Sequence, residues 1–146
     1  MYQWMVYGGE EMLTYEKLQD LIRKYDVPYN HNIVPGHTKA KIKWILPAGI
    51  INAAAFERAE SFFLYFAKDR IAIFPVTGDW EGGEPLELTW DEIQEFNVNK
   101  GFLAENEMHL KAGKLDLELK ISKRVVNNPW VKENNIFLES VNYYCK

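Results

Sequence analysis

The sequence predicts an α+β fold that is mostly β, an antiparallel assembly of about seven strands with a C-terminal capping helix and an N-terminal helical extension. Three observations predict it. Apolar residues alternate with polar ones in several short segments between Lys39 and Ile121, around the aromatic run at Ser61–Ala67. Clusters of Gly, Pro, Asn and Asp punctuate that stretch at short intervals. Helical spacing of apolar residues is clearest in two places, one near each end of the chain.

The first helix starts at Thr14, whose hydroxyl can satisfy a free backbone N–H. Leu18, Leu21, Ile22 and Tyr25 follow at helical spacing, with Glu16, Lys17, Asp20 and Arg23 mostly on the other face. Pro28 stops this helix near Asp26, and a loop is expected through Asn30, Asn32, Pro35 and Gly36. A half-buried strand comes next: Ala40, Ile42, Trp44 and Leu46 on one face, Lys39, Lys41 and Lys43 on the other. Pro47 and Gly49 end it. Ile50 to Arg58 reads either way, its three alanines favouring helix and its length and context allowing a strand.

Ser61 to Ala67 is a rich aromatic run, Lys68-Asp69-Arg70 a tight turn, and Ile71 to Val76 the returning strand. Gly78 to Pro85 is a polar, glycine-rich loop. Leu86, Leu88 and Trp90 alternate, then Phe96 and Val98, then Met108 and Leu110. Ala112-Gly113 makes a hairpin turn. Leu115, Leu117, Leu119 and Ile121 form the cleanest alternation, with Lys114, Asp116, Glu118 and Lys120 outward. Asn128-Pro129 signals a helix start, an amide cap followed by proline at the first helical position. Trp130, Ile136, Phe137, Leu138, Val141 and Tyr144 supply its expected apolar face.

Bulk properties narrow the functional classes. The 146 residues suit one domain, and 47% hydrophobic with 26% charged is ordinary globular composition. A net charge of −4 argues against a general nucleic-acid binder, which needs a basic surface against phosphates. It also weakens membrane-surface binding, leaving only a local basic patch to support it. Cys145 is the single cysteine, so neither an internal disulfide nor a thiolate zinc site is expected. No apolar run approaches the roughly 20 residues of a spanning helix. Met1 to Tyr7 carries no basic region and no long apolar core, so no signal peptide is expected and the cytoplasm is the simplest location.

The order of elements, hairpin strands followed by a capping helix, resembles the pleckstrin-homology-like fold. The run Phe62-Phe63-Leu64-Tyr65-Phe66-Ala67-Lys68-Asp69-Arg70-Ile71-Ala72-Ile73-Phe74 resembles the bacterial pleckstrin-homology-like pattern: apolar strand, turn ending in Arg, apolar strand. Leu88-Thr89-Trp90-Asp91-Glu92-Ile93 resembles its next segment, and Lys100-Gly101-Phe102-Leu103 its lysine–glycine turn. The resemblance covers about residues 38 to 144 and implies a barrel or sandwich over 38–146, preceded by a helical extension over 1–37, one compact unit in all. It implies a partner-binding scaffold of unspecified ligand, with no shared enzymatic chemistry. An alternative fold is an α+β cone with the early helix in the sheet's concave face, which a helical Ile50 to Glu60 would suit.

Candidate sites are few. Lys39, Lys41 and Lys43 form a lysine-lined strand face, either an anionic-ligand surface or a solvated face that discourages edge pairing. Trp80 is expected exposed at the tip of a long, mobile hairpin loop, where it would anchor a partner. The loop lacks the Gly-Lys-Ser/Thr end of a phosphate loop, and Asp79, Glu81 and Glu84 would repel phosphate. His31 and His37, six apart in a loop, and His109, pointing outward from a strand, show no metal-ligand spacing. Asp91 and Glu92, read as strand neighbours, would face opposite sides; Asp116 and Glu118 share a solvated face with Lys114 and Lys120. Ser61, Ser122 and Ser140 sit in no nucleophile motif. No catalytic residue, metal or cofactor is therefore expected. The leading expectation is a non-enzymatic module for a protein or peptide. Weak anionic lipid or small-ligand binding through the lysines is the first alternative, a small enzyme the second.

Overall fold

The computed structural model describes residues 12–38, 56, 58–101 and 105–145. Among them the chain is mostly β. Helix α1 (Tyr15–Tyr25) precedes β1 (Ile33–Thr38), β2 (Ser61–Phe66), β3 (Arg70–Val76), β4 (Leu86–Thr89), β5 (Glu95–Asn99), β6 (Glu105–Ala112) and β7 (Leu115–Ser122), and helix α2 (Pro129–Ser140) follows. The seven strands make one antiparallel sheet in the order β4-β3-β2-β1-β7-β6-β5. The sheet is open, because β4 and β5 lie at its two ends and share no ladder. It nevertheless curls: the ring of Phe96 on β5 sits 6.0 Å from that of Phe66 on β2 and 5.4 Å from that of Trp90, just past β4.

Both faces of the β1–β3 part are covered. Phe62, Leu64, Phe66, Ile71 and Ile73 point into an inner core with Met108, Leu110, Leu117 and Leu119 from β6 and β7. The alternate residues Phe63, Tyr65, Ala72, Phe74 and Val76 point the other way, into an outer core with Leu18 and Leu21 of α1 and Trp130 and Val131 of α2. Two buried faces explain why β2 and β3 are continuously apolar, whereas β6 and β7, covered on one face, alternate. Fully burying each such side chain contributes about 1.5–3 kcal/mol, so packing holds the helices on the sheet.

The hairpins, the strand at 86–89 and the alternating 115–122 strand stand where the sequence places them. Thr14 Oγ1 accepts a hydrogen bond from Lys17 N at 3.2 Å, and α1 ends on Asp26 in the left-handed region, φ 50°. The loop expected through Pro35 and Gly36 is instead β1, the central strand. Thr38 N donates to Glu60 O and Phe66 N to Asn32 O, so the even-numbered residues hydrogen-bond with β2. Pro35 therefore turns its missing N–H towards β7, one residue beyond the last registered pair, Gly36 with Ile121. At Gly36 a Cβ would lie 2.9 Å from both Leu64 Cδ1 and Lys120 O, so only glycine fits this close strand approach. The boundary expected between residues 37 and 38 runs through this strand. The strand expected over Ala40–Leu46 lies outside the described residues, as does most of Ile50–Arg58, where Phe56 and Arg58 are helical.

The apolar face of α2 also differs from expectation. Ile136 is 58% exposed, while Asn134 and Asn135 are buried. Asn134 Nδ2 donates to Tyr29 Oη and to Ile33 O, both at 2.8 Å, pinning the helix to β1. Asn128 makes no side-chain cap. Its Nδ2 donates to Leu13 O at 2.9 Å and its Oδ1 accepts from Trp130 Nε1 at 2.9 Å, tying the segment before α1 to α2. The helix stops at Ser140 instead of running on through Tyr144. Asn142, Tyr143 and Tyr144 are all left-handed, with φ of 50°, 56° and 61°. This turn carries the Tyr143 ring into the inner core, 5.2 Å from that of Phe66.

Candidate functional site

The residues that follow β3 shape an open cleft. Thr77 organises a tight turn: its Oγ1 accepts from Asp79 N and Glu81 N, both at 3.2 Å, and its backbone N–H donates to Glu81 O at 3.0 Å. The chain then returns along β3, with Gly83 N donating to Pro75 O at 2.7 Å. Gly82 presses on α1: a Cβ there would lie 2.2 Å from Leu21 Cδ1. Lys24 Nζ donates to Gly82 O at 3.1 Å, and Tyr25 Oη reaches the same oxygen at 3.5 Å. The glycine-rich stretch expected to be a long mobile loop is thus a docked turn, and its glycine is required by the helix beneath.

Trp80 sits in that turn with φ 61°, a conformation that non-glycine residues hold only where surroundings fix it. Its ring packs edge-on against Phe63, centroids 5.2 Å apart. The side chain is half-buried and joins the outer core, which corrects the expectation of a fully exposed tip. One side of the residue remains in the wall of an open cleft of about 480 Å³. Lys24 and Arg58 bring positive charge to this cleft, Glu60 and Glu81 negative charge, and Val76 an apolar patch. Concavity, an aromatic wall and charges of both signs suit a polypeptide segment with its amide groups and mixed side chains.

Lys39, Lys41 and Lys43, the other sequence-predicted site residues, lie outside the described residues. The histidines are dispersed. His31 Nδ1 lies 3.3 Å from Asn134 Oδ1 and holds the α2 contact. His37 is on β1, not in a loop, and meets the Glu105 carboxylate through Nε2, with Lys120 Nζ 3.6 Å from Glu105 Oε1. His109 Nε2 pairs with Asp116 Oδ1 at 2.7 Å on the solvated face. Among the described residues no three His, Cys, Asp or Glu side chains converge to hold a metal. Asp91 and Glu92 occupy a 3-10 turn, Trp90–Glu92, in place of the expected strand, and Glu92 Oε1 accepts from Thr89 N at 2.9 Å. Ser61 lines the cleft, Ser122 gives its carbonyl to Asn135, and Ser140 Oγ donates to Phe137 O. Cys145 is half-buried against the inner core.

Three tyrosines depart from ordinary titration. Burial pushes Tyr143 up to about 12, with Asn106 beside it opposing and Glu139 adding to the rise. Its hydroxyl closes no hydrogen bond of ordinary geometry, so the Asn106 amide beside it only partly offsets the burial. Burial likewise raises Tyr29, opposed by the bond from Asn134, and Tyr65, opposed by Arg70. All three shifts come first from packing.

Sequence reasoning missed Lys24 and Arg58 as cleft residues, because 34 positions separate them in the chain and only the docked turn brings them together (58 − 24 = 34). The pairing of Gly82 with the Leu21 position of α1 carries no local signal either. Among the described residues no helix is long and apolar enough to cross a membrane. No family model matches the chain, and no curated protein matches its sequence.

Proposed function

We propose that the chain is a non-catalytic binding module on a pleckstrin-homology-like frame, and that it takes a segment of another protein in the cleft beside Trp80. The order of seven antiparallel strands with a terminal helix supports the frame. The observation that carries the binding role is Trp80 itself: a large aromatic held in a left-handed conformation, with one side against Phe63 and the other in the wall of an open cleft. A pre-positioned aromatic loses little freedom on binding, which is why such residues dominate interface energetics.

The test is selection of peptides from a random display library on the full chain. Binding is mapped by backbone and indole NMR shifts and repeated with Trp80→Ala and Arg58→Glu. Selected peptides are expected to shift the Trp80 indole N–H and the amides of residues 59–61. Trp80→Ala should weaken them about tenfold or more, and Arg58→Glu about threefold, as hot-spot and rim positions do. Arg58 is exposed, so its variant keeps the fold. Peptides that bind Trp80→Ala unchanged, or that shift only residues elsewhere, would sink the assignment.

A further inference from the structure

The connection from β7 to α2 carries a feature that the cleft does not use. Lys123, Arg124 and Lys132 surround a hollow of about 180 Å³, with Asn135, Ile136 and Glu139 completing it. Three cations and one carboxylate give the hollow a formal charge of +2 (3 − 1), in a chain whose total is −4. None of the three cations makes an ion pair or side-chain hydrogen bond among the described residues. Ile136, at 58% exposed, and Val126, at 51%, are two of the three exposed large apolar residues described. Ile136 is in the hollow itself, and Val126 is in the connection that leads to it.

The hollow is held in shape. Asn135 Nδ2 donates to Ser122 O at 2.9 Å and to Val131 O at 2.8 Å, tying the end of β7 to α2. That buried amide fixes the strand that brings Lys123 relative to the helix that brings Lys132. The turn between them is fixed as well, by the Val125–Asn128 bridge with Asn127 at φ 65°. Cations on such a frame are positioned before any partner arrives, so a partner meets less ordering cost.

The geometry points to a second docking surface, one for an acidic peptide segment carrying a single large aliphatic side chain. Charge complementarity selects the acid: clustered unpaired cations attract carboxylates and speed encounter. Ile136, exposed in the wall of the hollow, selects one aliphatic group to lie against it. A bilayer is the poorer fit. Two exposed apolar side chains, Val126 and Ile136, leave little to insert, and the rest of the acidic chain, at −4, would be repelled by an anionic surface. This surface shares no lining residue with the Trp80 cleft, so each assignment stands or falls alone.

The probe is the capped pentapeptide Glu-Asp-Leu-Asp-Glu, titrated into the labelled full chain. An alanine-centred peptide and one with lysines replacing all the acids serve as controls. The leucine peptide is expected to shift the amides of Lys123, Arg124, Lys132 and Ile136 saturably. The alanine peptide should bind about threefold or more weaker and the lysine peptide not at all. High salt should weaken binding several-fold, because exposed charges are screened. Lys132→Glu should cost about tenfold and Ile136→Asp as much; both residues are exposed, and unfolding curves of the variants confirm the fold. No shifts at millimolar peptide would overturn the proposal. Equal binding of the leucine and alanine peptides would also overturn it, by reducing the surface to unspecific charge. Vesicles of equal parts phosphatidylcholine and phosphatidylserine form the last arm: if they engage these residues and the peptide does not, the surface is a membrane contact and the peptide assignment is wrong.

Discussion

The two halves of the sheet solve the same problem differently. Strands β5 to β7 bury one face, and their outer face holds Asn97, His109, Asp116 and Glu118 in water. Strands β1 to β3 bury both faces, the inner against β6 and β7 and the outer against α1 and the start of α2. The first half is a one-sided sheet that any alternating sequence could make. The second is the middle layer of a sandwich, and the Trp80 turn is part of its outer wrapping. The candidate cleft exists because that wrapping is present.

The largest expected effect breaks the outer layer. Phe63→Ala should cost about 3–5 kcal/mol in denaturant unfolding, because it removes a fully buried ring under Trp80. Hydrogen exchange should quicken more in α1 than in β6 and β7. Equal quickening would make the two layers a single cooperative unit and erase the distinction. Gly82→Ala is next, at about 1–3 kcal/mol, since its Cβ forces the buried Leu21 to move. An unchanged midpoint would mean that the turn is not held against α1.

Smaller effects sharpen the contrast on the inner side. Tyr143→Phe removes a buried hydroxyl that closes no hydrogen bond of ordinary geometry, so stability near neutral pH should hold or rise by up to about 1 kcal/mol. Its pKa is raised in the folded chain, to about 12, so the unfolded chain loses this proton first as pH rises. The linked stability is fully present below about pH 10, the ordinary tyrosine value, and is lost through about pH 12. The Phe variant should lack that decline in alkaline unfolding curves. Smallest is Asp116→Asn on the solvated face, which breaks the pair with His109 and should cost less than about 1 kcal/mol at pH 6. A larger loss would show that the outer face of β6 and β7 is not simply solvated.

The fold was readable wherever local pattern and burial agree. Leu115, Leu117, Leu119 and Ile121 alternate because water lies on one side only, and β7 stands where that pattern puts it. The hairpin of β2 and β3 was readable from its turn, though its unbroken apolar run did not announce a second covering layer. Strand β1 was not readable. Pro35 and Gly36 normally break a strand, and only the register shows that the proline faces the end of β7 and that the glycine makes room for Leu64. The buried face of α2 was hidden for the opposite reason. Asn134 and Asn135 look solvent-bound until Ile33 O, Ser122 O and Val131 O are brought to them. Of the candidate sites, Trp80 was expected exposed and is half-buried against the outer core, because Phe63 lies beneath it.

By itself, then, the sequence determined the β-rich class, the meander of hairpins after residue 61 and where both helices start, because these follow from short-range periodicity, turn chemistry, the Thr14 cap and the proline at 129. Tertiary structure alone decided that β1 is the centre of the sheet, that α1 wraps its outer face and that the glycine-rich stretch is a docked turn. It also decided which face of α2 meets the strands. Each of these rests on contacts between residues tens of positions apart, where one close approach or one buried amide overrides what the local residues prefer.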